Sequence, residues 1–379
     1  MTDDRWDGWS DRPHLGEQDS DTAPHAASPG YLQPDYTPPD YQAADYASPD
    51  SQYSVPPSVA PVPQEPVVPP PSAHDLSTSR LLRAAPPPPT GGWRRVLFDV
   101  TGGRVNVGNS AKEQRRLALI RQVDNPLRGC HRIAILSLKG GVGKTTIAAA
   151  LGSTFSAVRG DRVIAVDANP DRGTLSSRVP QETEKTVRDL LRDVRDSDKY
   201  SDIRAFTSQN HHRLEVLASE SDPAMSEAFD AYDYESAVGI LERFYNVVLT
   251  DCGTGLLHSA MRAVLRSADS LIIVSSGSVD GARSASATMD WLDAHGYRNL
   301  VEQSLTVVNM VRPGTKAIDV SKIVDHFGQR CRAVRVIPYD EHLAQGAEVD
   351  LDAMAPATRT ALLETAAAMT AEFPLFVKR

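Results

Sequence analysis

Cysteine is scarce in this sequence. There are three in 379 residues, Cys130, Cys252 and Cys331, an odd number with no two at metal-knuckle spacing. That count excludes a disulfide framework and a cysteine-ligated zinc fold, and it fits reduced thiols. Long apolar runs are missing too. No stretch approaches the roughly 18–20 apolar residues that a bilayer span needs. The opening run, Met1-Thr2-Asp3-Asp4-Arg5-Trp6, is acidic and has no hydrophobic signal core. The expectation is a protein made and kept inside the cell, at most peripheral to a membrane.

Most of the sequence also lacks a charge bias. The first 90 residues carry 13 acidic side chains against 4 arginines, and the remainder carries 36 acids and 36 bases, so the formal net charge of −9 resides in the first 90. The rest has no global pull toward nucleic acid or an anionic membrane. Proline divides the chain in the same place, with 19 of the 27 lying before residue 91. A short beat recurs there: Pro34-Asp35-Tyr36, Pro39-Asp40-Tyr41, Ala44-Asp45-Tyr46, then Pro49-Asp50. Such a segment buries too little apolar surface to offset ordering entropy, and its proline runs favour extended polyproline II. Residues 1–90 therefore read as a disordered tail. It acts either as a solubilising spacer or as an arm whose spaced tyrosines and prolines dock into aromatic-lined grooves.

Residues 91–129 read as a linker. Gly91-Gly92-Trp93-Arg94-Arg95 opens it, Thr101-Gly102-Gly103 makes a turn, and 111–123 is a basic amphipathic helix that packs on the domain that follows. From residue 130 to 379 short apolar runs alternate with amphipathic stretches. Strands are expected over 133–138, 162–167, 214–217, 246–251, 270–275, 305–309 and 333–337. Helices are expected over 144–158, 186–194, 235–244, 256–266, 280–295, 320–327 and 356–372. Continuous Val/Ile/Leu strands are buried on both faces, as in a parallel sheet. Strand–helix alternation predicts an α/β fold, doubly wound around a mostly parallel sheet.

The chemistry gathers after the first strand, in Lys139-Gly140-Gly141-Val142-Gly143-Lys144-Thr145-Thr146. The glycines let the backbone curl so that successive N–H groups face an anion, and the helix starting at Lys144 turns its positive end to the same place. Lys144 is placed to reach the β- and γ-phosphates of a nucleotide, and Thr145 to ligate Mg²⁺. The usual phosphate loop begins with glycine six residues before its lysine; here Leu138 stands there.

This variant, with its early Lys139, resembles the deviant Walker A motif of the MinD/ParA family of dimerising ATPases. The resemblance covers roughly residues 130–350 and implies a P-loop fold, ATP and Mg²⁺ as ligands, and an ATP-dependent homodimer. It implies that Lys139 crosses the dimer interface to the partner's nucleotide, a cation supplied to the transferring phosphoryl group. Asp167, ending the 162–167 run, resembles switch I. Asp251 resembles the Walker B acid that holds Mg²⁺, and Asp251-Cys252-Gly253-Thr254-Gly255 the switch II loop. Asn309 resembles the strand-end amide that reads the adenine edge, and Pro338 and Tyr339 the loop that packs on the base. One position departs from the pattern. In Asp167-Ala168-Asn169-Pro170-Asp171 an amide replaces the carboxylate that positions the attacking water. Asn169 orients water but cannot accept its proton. Asp167 or Asp171 could substitute, so slow hydrolysis is expected.

The Pro-rich tail, the Gly-Trp-Arg-Arg segment and Pro126-Leu127-Arg128-Gly129-Cys130-His131 further resemble actinobacterial MinD-like proteins associated with type VII secretion. This likeness implies a regulatory role near the inner face of the membrane, with residues 1–90 docking on secretion machinery. Three alternatives stay open: an ATP sensor or adaptor with little turnover, a chromosome-partitioning ParA-like ATPase, and a bacterial tyrosine kinase. The basic residues Arg262, Arg266, Lys316, Lys322, Arg330, Arg332 and Arg335 would serve a DNA surface, but interspersed acids read as an ordinary charged surface. His211-His212 reads as a solvated loop without further metal ligands nearby. Cys252 reads as a small residue in a tight loop. The Ala-rich end, followed by Phe373-Pro374, reads as a packed tail.

Overall fold

The computed structural model describes residues 88, 92–169, 173–194, 199–220, 229–313, 318–371 and 373, all within one unit of the chain, Thr78–Arg379. The tail expected over 1–90, apart from Pro88, lies outside the described residues, as do Asp171, Lys316 and residues 374–379.

Eight strands form one sheet: β1 His131–Leu136, β2 Val163–Ala168, β3 Ser208–Gln209, β4 Glu215–Leu217, β5 Val247–Cys252, β6 Ser270–Ser276, β7 Leu305–Asn309 and β8 Ala333–Ile337. Their spatial order is β3-β4-β2-β5-β1-β6-β7-β8, and every pairing is parallel except that of β3 with β4. This is the doubly wound α/β fold that the alternation predicts. β1, β2, β5 and β7 are apolar runs buried almost throughout, because helices cover both faces. Alternate residues serve opposite sides. Ala134, Leu136, Ile164 and Val166 enter one apolar cluster, and Ile133, Ile135, Val163 and Ala165 the other.

Two helices anchor the second cluster. Helix Lys144–Val158 is rich in alanine and is buried along most of its length. Gly152 lets it lie close on the sheet, since a Cβ there would meet Leu214 Cδ1 at 2.7 Å. Helix Pro356–Thr370 starts with proline in its first turn, where a missing N–H costs nothing, and presents Ala366 and Ala367 inward. The helix Ala111–Val123 packs against these two. Gln122 Nε2 donates to Ala367 O at 2.8 Å, and Val123 is fully buried. Arg159, 2% exposed, closes the joint by donating to Val123 O (2.6 Å) and Asn125 O (3.1 Å) while pairing with Asp161. Thus the segment ahead of β1 contributes core residues.

On the opposite face lie Val187–Asp193, Ala231–Leu241, Ser259–Ser267, Val279–Ala294 and Val320–Gly328. Side chains cap several of these helices: Asp230 accepts from Tyr232 and Asp233 N–H, Ser278 from Gly281 N–H and Asp319 from Ser321 N–H. Six short elements were not foreseen: the edge strand β3, helix Gly92–Val100, and the short turns Ser176–Arg178, Tyr200–Arg204, Arg298–Glu302 and Glu341–Ala344. All but Gly92–Val100 are too short to show a period in the sequence. No helix among the described residues is long and apolar enough to cross a membrane.

Candidate functional site

β1 lies between β5 and β6, and the loops leaving the carboxyl ends of these strands form a crevice. In open α/β sheets ligands enter at such a switch point. The loop after β1 turns through Gly141 (φ 77°) and Gly143 (φ 86°), left-handed conformations that favour glycine. Gly143 is also tightly overlain: a Cβ there would sit 2.2 Å from Asn309 Nδ2. Asn309 ends β7, is 7% exposed, and donates Nδ2 to Val142 O at 3.0 Å. Its amide therefore buttresses the loop while lining the cavity.

Lys144 opens the helix after the loop and is 8% exposed. Its Nζ lies 2.7 Å from Asp251 Oδ1, and Thr145 Oγ1 donates to Asp251 Oδ2 at 2.6 Å. One carboxylate at the end of β5 thus holds both a cation and a hydroxyl. Asp167 is its register partner on β2. Asp167 is 1% exposed and accepts backbone N–H bonds from Asn169 (3.1 Å) and Leu175 (3.0 Å). Burial, and then the charge of Asp251, push the Asp167 carboxyl up to about 7. Gly173 makes room for it, since a Cβ there would lie 2.2 Å from Asp167 Oδ2. A second small cavity is lined by Asp167, Asn169, Arg188, Ser219 and Glu220.

Lys139 stands apart from this buried pair. Its side chain is 42% exposed, with Nζ 3.6 Å from Asp280 Oδ2 at the start of the helix after β6. Its position is the rim of the loop. A cavity beside the loop is lined by Gly141, Gly143, Thr146, Asn309, Pro338 and Tyr339. All six are among the residues singled out by the motif reading. Met310, Val311, Leu343 and Ala344 also line it. They were missed because they are apolar residues in connections, indistinguishable in sequence from ordinary packing. Of the other expected site residues, Gly140 faces open space and Val142 is buried at 2% exposure.

The remaining candidates fall elsewhere. Burial pushes the Cys252 thiol up to about 12, so it stays a neutral thiol at physiological pH. Arg330 pairs with Asp290 and Asp293, Arg266 with Glu235, and Arg332 donates to Ala368 O. The reading of His211-His212 as lacking nearby ligands is corrected: Asp350 and Asp352 stand beside both imidazoles. The fold brings them across 139 residues of sequence, beyond the reach of spacing arguments.

Residues 133–353 match the family model described as the CobQ/CobB/MinD/ParA nucleotide binding domain. The chain is 39% identical over 284 residues to the ESX-1 secretion-associated protein EspI of Mycobacterium tuberculosis, a match covering 74% of this chain and 42% of that relative. It therefore spans less than half the length of that relative. It is 28% identical over 199 residues to the septum site-determining protein MinD of Synechocystis, covering 51% of this chain and 71% of the relative. Among solved structures, a ParA family ATPase from Chlorobium tepidum superposes with a TM-score of 0.53 at 22% identity, over 63% of this chain and 98% of that one. The cell division ATPase MinD of Pyrococcus furiosus gives 0.50 at 22% identity, over 63% and 98%. The P-loop, the paired aspartates at neighbouring strand ends and the match across more than half its length agree: the chain belongs to the CobQ/CobB/MinD/ParA family of nucleotide-binding domains.

Proposed function

We propose that this chain is an ATP-binding, slowly hydrolysing dimerisation switch that regulates type VII secretion or the positioning of a protein assembly. The family supports nucleotide binding, and the 39% identity to a secretion-associated relative supports the setting. In this reading the backbone amides of residues 140–146 and Lys144 grip the phosphates, and Asn309, Pro338 and Tyr339 hold the base. Thr145, Asp167 and Asp251 offer hard oxygen donors that suit Mg²⁺, which when bound would neutralise phosphate charge. Lys144 and Thr145 both rest on Asp251, so ligand entry requires exchanging these contacts for phosphate.

The observation that carries the switch is the place of Lys139: exposed, at the rim, and held by one long ion pair. Exposed apolar side chains lie around the same edge of the sheet. Leu257, Val279 and Val311 are 81%, 52% and 37% exposed, in the connections after β5, β6 and β7. An apolar rim around a cationic lysine suits a second copy closing over the nucleotide. Residues 1–90 would then serve as the arm that docks on secretion machinery, and the body beginning near residue 130 as the switch, working at the cytoplasmic face of the membrane.

Lys139→Ala tests this. The wild type should become dimeric with Mg-ATP and release phosphate. The variant should bind Mg-ATP but release phosphate at least about tenfold more slowly, a loss of about 1.4 kcal/mol in transition-state stabilisation. Normal turnover by a monomeric variant would sink the in-trans role. Asn169 favours a second reading, an ATP sensor with little turnover. In that case the wild type releases no phosphate, and Asn169→Asp restores it.

A further inference from the structure

A second cluster of metal-ligating atoms lies where the β3–β4 turn meets the segment before helix Pro356–Thr370. We propose that His211, His212, Asp350 and Asp352 form a binding site for one divalent transition-metal ion of the zinc class. Their four donor atoms all lie within 4.8 Å of one another. His211 Nε2 and His212 Nε2 are each 3.2 Å from Asp350 Oδ1, and His211 Nε2 is 3.8 Å from Asp352 Oδ2. Ligand bonds of roughly 2.0–2.2 Å in a tetrahedron set neighbouring donors about 3.3–3.6 Å apart. The cluster is thus close to the spacing such an ion imposes.

Backbone geometry makes this arrangement possible. Adjacent residues on a strand point to opposite faces, so neighbouring histidines ordinarily diverge. Here His211 and His212 sit in the turn of the β3–β4 hairpin, followed by Arg213 at φ 70°, the sole non-glycine in the left-handed region among the described residues. Their rings converge to a centroid distance of 3.8 Å. Arg213 holds the turn by donating to Arg159 O at 2.8 Å.

The hydrogen bonds point the same way. His212 Nε2 lies 3.1 Å from Leu351 N–H and 3.2 Å from Asp350 Oδ1, accepting from the first in one tautomer and donating to the second in the other. Asp350 Oδ1 accepts from Asp352 N–H at 2.8 Å and keeps a second lone pair, which faces the His212 nitrogen at 3.2 Å. A bound cation would take the place of the proton shared between this nitrogen and oxygen. Metal entry would displace Leu351 N–H from the nitrogen. Two imidazoles among the donors select zinc, cobalt or nickel over Mg²⁺ and Ca²⁺, which prefer all-oxygen sites. The site is open to solvent, since His211 and Asp352 are 55% and 76% exposed. Asp350 N–H also donates to His342 Nε2 at 2.9 Å, in the short helix Glu341–Ala344 after β8. A bound ion would therefore clamp the hairpin turn to the segment that follows one wall of the nucleotide cleft.

The test is calorimetric titration of the full chain, stripped with chelator, with ZnCl₂ alone in excess Mg²⁺. A parallel titration with CoCl₂ follows the visible ligand-field bands. The expected result is one Zn²⁺ per chain, a Co²⁺ spectrum of tetrahedral intensity, and a thermal midpoint that rises with Zn²⁺. Single replacement of His211 or His212 by alanine should weaken binding at least about tenfold, and the double variant should abolish it. Should the double variant fail to fold, Asp352→Asn at its exposed position should still weaken binding by a similar factor. A wild type that takes up neither ion, or variants that keep wild-type affinity and stoichiometry, would overturn the site.

Discussion

At the residue scale, the phosphate loop depends on a glycine that two independent constraints fix. Gly143 adopts φ 86°, which costs an L-residue about 1–2 kcal/mol, and a Cβ would also displace the Asn309 amide from Val142 O. Gly143→Ala should lower Mg-ATP affinity at least about tenfold and reduce the thermal midpoint, both readable by calorimetry. Gly140→Ala is the control. Nothing lies within 4 Å of its Cβ position and its φ is ordinary, so its thermal midpoint should stay near that of the wild type. The motif made Gly143 legible in the sequence, but not its reason. That Asn309 presses on it depends on β7 lying two strands from β1. The buried contacts of Asp251 with Lys144 and Thr145 were equally invisible, since the expectation was of groups facing a ligand, not one another.

At the element scale, elements with a marked apolar pattern of their own could be read, and those shaped by their neighbours could not. The helices Lys144–Val158 and Ala111–Val123 and the strands β7 and β8 have the bounds their sequence patterns predict. The two-residue β3 owes its existence to pairing with β4 and has no pattern of its own. β1 begins at His131, two residues before its apolar run, because its paired neighbours extend there. This puts a polar ring into the core. His131 is 3% exposed, its Nε2 lies 2.8 Å from Ser270 Oγ, and its ring lies 4.3 Å from that of Phe373. Burial lowers its pKa from 6.5 to about 4. The unfolded chain therefore binds a proton between those values that the folded chain refuses, so this group costs stability as pH falls from 6.5 toward 4. Asp167, raised from 3.8 to about 7, works in the opposite sense across that whole range, because its folded form takes up the proton first. The difference between wild type and His131→Gln isolates the histidine. Going from about pH 7.5 to about pH 5, the wild type should lose about 2 kcal/mol more in urea unfolding than the variant. Equal losses in the two proteins would contradict the assignment.

At the scale of the whole molecule, one sheet carries the phosphate loop at its middle strands and the histidine–aspartate cluster beside one edge. The segments leaving β1, β7 and β8 line one cavity, and Asp251 at the end of β5 reaches Lys144 beside it, so residues far apart in sequence meet there in an order the motif reading could follow. The turn between β3 and β4 carries the histidine cluster at one side of the sheet, beyond β2. Nothing in the sequence links His211 to Asp350, because no family pattern and no spacing joins them. The cleft was legible because its residues lie in contiguous motifs, and the histidine–aspartate cluster was not because tertiary packing alone assembles it. All roles proposed for the cleft require one property, that the loop of residues 139–146 grips a nucleoside triphosphate. The most direct measurement is calorimetric titration of the full-length chain with Mg-ATP, paired with a thermal melt. The account predicts saturable binding of one nucleotide per chain and, at about 100 times the dissociation constant, about 2.7 kcal/mol of stabilisation, a rise of roughly 5–10 °C in melting midpoint. No heat and no shift in the midpoint would contradict it.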